Sequence, residues 1–205
     1  MRDIHVDDAL VVVDKPSGLL SVPGRAEGMD ICALSMTRQR HGDVFVVHRL
    51  DMDTSGLLIF ARTQDAQKAL SAQFEARETL KTYLAIVDGV PTQCSGTIDL
   101  PIGFDWAERP RRKIDPMSGR EAITNWHRVP TDLPHTLLQL SPQTGRTHQL
   151  RLHLATIGHP IRGDRLYGGS PFNRLCLHAA RIEFTHPTTS EPMDIQSQPD
   201  FSKPV

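Results

Sequence analysis

The stretch His48-Arg49-Leu50-Asp51-Met52-Asp53-Thr54-Ser55-Gly56-Leu57-Leu58 stands between two apolar runs, Val44 to Val47 and Leu57 to Phe60. An apolar run, a short charged segment and a second apolar run predict strand, tight polar loop, strand, with Gly56 permitting the turn. A loop on a rigid scaffold is well suited to present a carboxylate to a substrate. A turn that merely reverses the chain has no need of Arg49, Asp51, Asp53 and Ser55 packed between two buried strands. Asp51 is therefore the candidate for chemistry.

Outward from this loop, Ala9 to Val13 is a short β-type run that ends at the turn signature Lys15-Pro16-Ser17-Gly18. Met29 to Arg40 is expected to be a helix, with Asp30 near its start. Thr63 to Arg77 is the clearest helix, capped by Thr63, with Ala66, Ala69, Leu70 and Phe74 in one apolar stripe. Thr82 to Val87 alternates as a strand does. Pro91 to Gly119 is rich in Pro, Gly and charge and is expected to be an irregular excursion. Ile123 to Val129 and Thr136 to Leu140 read as an antiparallel pair. Thr147 to Ile157 reads as a helix closed by Gly158 and Pro160. Leu175 to Phe184 and Met193 to Ile195 read as late strands. Strands outnumber helices in a mixed order. The expectation is an α+β fold, a largely antiparallel sheet with helices on its faces, in one domain over residues 1–205.

The chain has 205 residues and a formal net charge of -1. Nucleic-acid binders are usually more basic, so an RNA partner would have to be held by a local patch. Cys32, Cys94 and Cys176 are scattered and odd in number, which argues against a disulfide framework and a Cys-based zinc site. Reduced thiols in the cytoplasm are the natural reading. No apolar run approaches a membrane span, and Met1 to His5 lacks the apolar core of a signal peptide. Neither a Gly-x-Gly-x-x-Gly fingerprint nor a Gly-Lys-Ser/Thr phosphate loop occurs, so no nucleotide cofactor is indicated. His148 and His153 miss the spacing of a helical zinc pair. His48, His159, His178 and His186 stand singly and read as hydrogen-bonded structural residues. No metal is expected.

Four polar clusters lie at the edges of expected elements: Arg49 with Asp51, Lys81 with Tyr83, Thr144 to Arg151, and Gly158 to Asp164. Arg146 sits where a glycine turn becomes a helix N-terminus. The helix dipole favours anions there, so a cation suggests a nearby carboxylate or phosphate. An Arg–Asp pair would fix a carboxylate by paired hydrogen bonds, and a purely structural ion pair has the same signature. Tyr83 is either core or an aromatic that stacks on a nucleobase. Arg109-Pro110-Arg111-Arg112-Lys113, beside Trp106, is the densest basic run and reads as a solvated face or a phosphate contact.

Taken together and in order, these motifs resemble the RluA-type pseudouridine synthases. His48-Arg49-Leu50-Asp51 with Thr54-Ser55-Gly56 matches that family's signature, and Lys15-Pro16-Ser17-Gly18 its early lysine-proline turn. Lys81-Thr82-Tyr83 matches the strand bearing its active-site tyrosine. Gly145-Arg146-Thr147-His148-Gln149-Leu150-Arg151 matches its arginine motif. Gly158 to Ile161, Gly163-Asp164, Tyr167-Gly168, His178-Ala179 and His186-Pro187 match its C-terminal pattern. The resemblance implies a mixed, mostly antiparallel sheet with flanking helices, an RNA-binding cleft, and no metal or cofactor. It implies catalytic roles for Asp51, Tyr83 and Arg146. Arg49, Leu150, Lys81, Arg111 and Arg112 would contact substrate.

Ser21-Val22-Pro23-Gly24-Arg25, Asp99 to Ile102, Asp105-Trp106 and Arg109-Pro110 look like the branch of the family without an S4-type RNA-binding module. That likeness implies RNA partners of two kinds. One is the tRNA anticodon stem-loop, at uridine 32. The other is a 23S rRNA stem-loop, at uridine 746. A different tRNA or rRNA uridine is the alternative, and a monomer is expected. Asp51-Met52-Asp53-Thr54 also fits the Asp-x-Asp-x-Thr motif of haloacid-dehalogenase-like phosphotransferases, although Arg49 interrupts the apolar approach and the alternating βα pattern is missing. An RNA-binding protein without catalysis is a further reading, against which Asp51, Tyr83 and Arg146 all stand.

Overall fold

The structure, a computed structural model, describes residues 1–24, 26, 28–131 and 135–201. Arg25, quoted above within a motif, lies outside them. The chain forms two compact units, Met1–Lys81 with His178–Asp200, and Thr82–Leu177 with Phe201.

The first unit is built around β4 (Ser55–Ala61), the strand that leaves the charged loop. All seven of its residues are buried. A strand covered on both faces has no polar alternation to keep, which is why Leu57-Leu58-Ile59-Phe60 is unbroken. β2 (Leu10–Lys15) runs antiparallel along one edge, placing Lys15 opposite Gly56, and β1 (Arg2–Val6) pairs with β2 in turn. On the other edge β3 (Phe45–Val46) pairs with Ala61 and Phe60. β11 (Leu177–Thr185) runs parallel there, with His178 opposite Ser55 and Ala179 opposite Gly56. β12 (Pro192–Gln196) closes onto β11. Helix α2 (Gln64–Glu75) lays Ala66 and Leu70 on Leu57, Ile59 and Ala61. Each such aliphatic side chain contributes about 1.5–3 kcal/mol by leaving water. Thr63 caps α2 as expected, accepting from the Ala66 amide. α1 (Ala33–His41) starts later than the sequence suggested. Its cap is Cys32, whose thiol accepts from the Ser35 amide while the Ser35 hydroxyl accepts from the Cys32 amide.

The second unit is a run of antiparallel strands. β5 (Leu80–Val87), whose first two residues belong to the first unit, pairs with β10 (Thr136–Pro142). β10 pairs with β9 (Ile123–Val129), and β9 with β6 (Ser95–Asp99). α3 (Gln149–Thr156) contributes Leu150 and Leu154 to one apolar cluster and Leu152 to another. It is buried all round from Gln149 to Leu154. β7 (Ile102–Phe104) and β8 (Arg112–Ile114) form a separate hairpin.

The α+β class with a mixed, mostly antiparallel arrangement is therefore observed. Two further expectations are corrected. Pro91 to Gly119 is not irregular, because it holds β6, β7 and β8. Their brevity and the glycine and proline between them hide the alternation. Gly56 does not make the turn, which closes by a hydrogen bond from the Thr54 amide to the Asp51 carbonyl at 3.1 Å. Gly56 lies inside β4 at φ +111°, where a Cβ would fall on the backbone carbonyl of Ala179. The glycine is needed so that β11 can approach β4. The Gly56→Ala variant is expected to lose several kcal/mol of stability in urea unfolding, since a backbone neighbour cannot step aside.

Candidate active site

The Asp51 loop is held by groups that grip its backbone. Lys15, at the end of β2, is fully buried. Its ammonium donates to the carbonyls of Pro16 at 2.9 Å, Leu19 at 2.7 Å and Met52 at 2.9 Å. Three donors meet three carbonyl dipoles, which is how a buried cation of this kind is made tolerable. The Ser17 hydroxyl donates to the Asp53 carbonyl at 2.6 Å. The Ser21 hydroxyl donates to the Leu50 carbonyl at 2.8 Å and accepts from the Leu50 amide at 3.0 Å. Ser55 and His178 Nδ1 share a 2.8 Å hydrogen bond, which ties the loop's exit to β11. Residues on both sides of Asp51 are thus pinned. Arg49 is exposed and Asp51 half-buried.

His48 pins the loop's entry. Where β3 ends, the His48 ring takes over the edge of β4, its Nε2 accepting from the Ile59 amide at 3.0 Å. The ring stacks on Phe74 of α2, with centroids 4.6 Å apart. Enclosure by these groups pulls the His48 pKa down to about 3, and the Lys81 charge adds to the effect. The imidazole is neutral at physiological pH, as an acceptor from a backbone amide must be. Lys81 Nζ stands 6.0 Å from the Phe74 ring centroid. Its own pKa is lowered by burial and by Arg77.

The other predicted residues stand in the second unit. Tyr83 on β5 lies opposite Leu140 of β10, half-buried against the apolar cluster that includes Leu150. Leu150 is itself part of that core. Arg146 is half-buried just before α3 and its Nε donates to the Glu121 carbonyl at 2.9 Å. His148, the N-cap, sits at φ 58° and supplies no side-chain cap. The Gln149 side chain instead braces the segment that leads into the helix. Its Oε1 accepts from the Arg146 amide and the Thr144 hydroxyl, while its Nε2 donates to the Ile123 carbonyl and Thr124 Oγ1. One buried amide thereby fixes the backbone from which Arg146 projects.

One turn on, Arg151 and Asp164 form a bidentate pair at 2.7 and 2.8 Å, with side chains 3% and 0% exposed. Breaking such a pair costs about 3–5 kcal/mol. Arg111 and Arg112, at the entry to β8, are half-buried. The single histidines are hydrogen-bonded as expected. His159 pairs with the Asp88 carbonyl, and His186 with Asp7.

Sequence reading placed Lys15 in a turn motif and did not assign it to the site. The signal was present: a lysine ends an otherwise apolar strand and precedes a rigid proline. Ser17, Ser21 and Gln149 carried no comparable signal, because short polar side chains acquire meaning only from the carbonyl they meet.

Two outcomes follow from this network. Lys15→Met leaves three carbonyls without their donor, each worth about 1–3 kcal/mol when buried. It is expected to cut stability by at least about 3 kcal/mol in urea unfolding, and Ser21→Ala by less. His48 has a folded pKa below its unfolded value, so the unfolded chain binds the extra proton between pH 3 and 6.5. The resulting loss of stability accrues as pH falls through that window. His48→Gln, which keeps an acceptor and cannot titrate, is expected to flatten stability against pH there.

A family model described as RNA pseudouridylate synthase matches residues 9–156. The dual-specificity RNA pseudouridine synthase RluA of Haemophilus influenzae is 44% identical over 206 residues, covering 97% of this chain and 93% of that one. The protein of the same name from Escherichia coli K12 is 40% identical over 203 residues, with the same coverage. Among solved structures, human RNA pseudouridylate synthase domain containing 1 superposes with a TM-score of 0.79 at 28% identity, over 97% of this chain and 83% of that one. The phosphotransferase reading of Asp51 to Thr54 falls on these matches, and on the antiparallel β2 beside β4 where a doubly wound parallel sheet would be required. The chain belongs to the RNA pseudouridylate synthase family, and it is an enzyme that isomerises uridine to pseudouridine in RNA.

Proposed function

We propose that this synthase modifies two classes of RNA, at uridine 32 of the tRNA anticodon stem-loop and uridine 746 of 23S rRNA, with Asp51, Tyr83 and Arg146 as its catalytic residues. The observation that carries the substrate assignment is the 40–44% identity, over nearly the whole chain, to synthases whose names state dual specificity. A single different uridine in either RNA is the alternative.

The reaction breaks the C1'–N1 bond, turns the uracil, and joins C5 to C1'. The hydrogen on C5 leaves and N1 gains one. Reactant and product are isomers, so the overall balance needs no redox equivalent, phosphate donor or metal. The uridine first leaves its stack, at a cost of a few kcal/mol. Arg49, exposed beside Asp51, is assigned to the vacated space and the backbone. Asp51 acts at the ribose, as a nucleophile on C1' or as a base at C2'. Tyr83 stacks on the freed uracil, and Arg146 orients the carboxylate. Lys81, Leu150, Arg111 and Arg112 are assigned to substrate contact. The pinned loop supports the role of Asp51: a side chain whose flanking backbone is fixed loses little freedom on reaching a reacting atom. The enzyme is taken to work as a cytoplasmic monomer; the free thiols of its three cysteines fit that compartment.

With RNA tritiated at uridine C5, turnover releases the label. Asp51→Asn is expected to abolish release while RNA binding persists. Substantial release by that variant would remove Asp51 from the chemistry. Pseudouridine mapping in cells with and without the gene tests the targets separately. Loss at both named positions supports dual specificity, and loss at one other uridine selects the alternative.

A further inference from the structure

The β7–β8 hairpin carries a group of side chains that serve no core. Phe104 is 53% exposed and Trp106 66% exposed, and their rings stack face to face with centroids 4.9 Å apart at 15°. The Arg109 guanidinium lies 4.4 Å from the Trp106 ring, and that of Arg112 lies 3.9 Å from the Phe104 ring. Phe104 and Arg112 are directly opposed across the hairpin.

This ladder stands on a rigid base. The Arg112 amide donates to the Tyr167 hydroxyl at 2.8 Å, and that hydroxyl also bonds His148 Nδ1 at 2.9 Å. Asp164, locked to Arg151, accepts from the Tyr167 amide. The hairpin is therefore fastened to the start of α3. Its tip is organised by Asp105, which accepts from the Glu108 amide, and by an ion pair between Glu108 and Arg111.

Burial does not account for the ladder, since more than half of each ring faces water. Three features select an RNA base as its occupant. Four cations fall within residues 109–113 of a chain with net charge -1. The Nε atoms of Arg111 and Arg112 are buried with no hydrogen-bond partner. Flat aromatic and guanidinium planes are the surfaces on which unpaired bases stack, whereas bases within a duplex keep their faces covered.

We propose that Phe104, Trp106, Arg109 and Arg112 form a stacking platform that takes an unpaired loop base of the RNA, distinct from the uridine being isomerised. The proposal rests on RNA being the substrate and not on which uridine is the target. The platform adds affinity and selects RNA with an unstacked base. It takes no part in bond making.

The test uses the full chain and its two tryptophans, of which Trp126 is only 7% exposed. An anticodon stem-loop RNA and a single-stranded oligouridylate are expected to quench the emission of the wild type, and a fully paired duplex of equal length is not. Trp106→Ala is expected to raise KM for the tritiated stem-loop about tenfold or more, with kcat within about twofold. Trp106→Phe is expected to restore KM to within about threefold. Since Trp106 is exposed, both variants are expected to melt as the wild type does. A wild-type KM for Trp106→Ala, or quenching that duplex RNA produces equally, overturns the proposal. So does a result in which only the arginine variants weaken binding and lower its salt dependence, which would make the run a phosphate contact. Failure of the wild type to turn over the stem-loop would instead overturn the target assignment, leaving the quenching comparison to decide the platform.

Discussion

The fully buried ammonium of Lys15 governs the geometry of the loop that carries Asp51. A charge taken out of water is costly unless its donors are met. Here the carbonyls of Pro16, Leu19 and Met52 meet it. The cost makes the arrangement selective. If the loop moved, the fully buried ammonium would lose one of these three carbonyl acceptors and the Met52 carbonyl would lose this donor. Proline at 16 supports this by fixing its own φ and so limiting the paths by which the chain can leave β2. Lys15 is thereby a positioning residue, acting on Asp51 through the backbone one residue away.

The same logic extends along β4. Ser55 bonds to His178, and at Gly56 the absence of a side chain lets β11 come alongside. On the other side of the loop the His48 ring replaces a missing strand residue at the Ile59 amide. The loop is anchored at its entry, its middle and its exit by three different kinds of acceptor or donor. All of them engage main chain or residues flanking Asp51. In the second unit Gln149 does the equivalent work for Arg146. It gathers four partners around the start of α3, whose own N-cap residue is left-handed and cannot cap it.

Much of this was legible before any coordinates. The unbroken run Leu57 to Phe60 announced a strand covered on both faces, and the Thr63 cap and apolar stripe announced α2. The loop carrying Asp51 was plain because charge stood between two buried runs. What escaped has one physical cause. β1, β7 and β8 are short strands whose pairing depends on a partner distant in sequence or on a turn without periodicity. The role of Gly56 escaped similarly. A glycine beside a charged segment reads as a turn, whereas its actual demand comes from Ala179, more than a hundred residues later. Lys15, Ser17 and Ser21 were visible as motif residues, but the carbonyls they grip are made specific only by tertiary structure.

The charge balance bears on how such an enzyme chooses its RNA. A protein with net charge -1 gains little from counterion release spread over its whole surface, so indiscriminate capture of polyanion is weak. Affinity must come from a few cations in fixed places and from contacts that salt does not screen. Phosphate contacts position a nucleic acid and carry no sequence information directly. A base stacked on an aromatic plane demands that the base be unpaired, which is a statement about the shape of the loop. Concentrating cations and exposed rings on one hairpin, fastened through Tyr167 and His148 to the start of α3, therefore joins a surface suited to an unpaired base to the segment that bears Arg146.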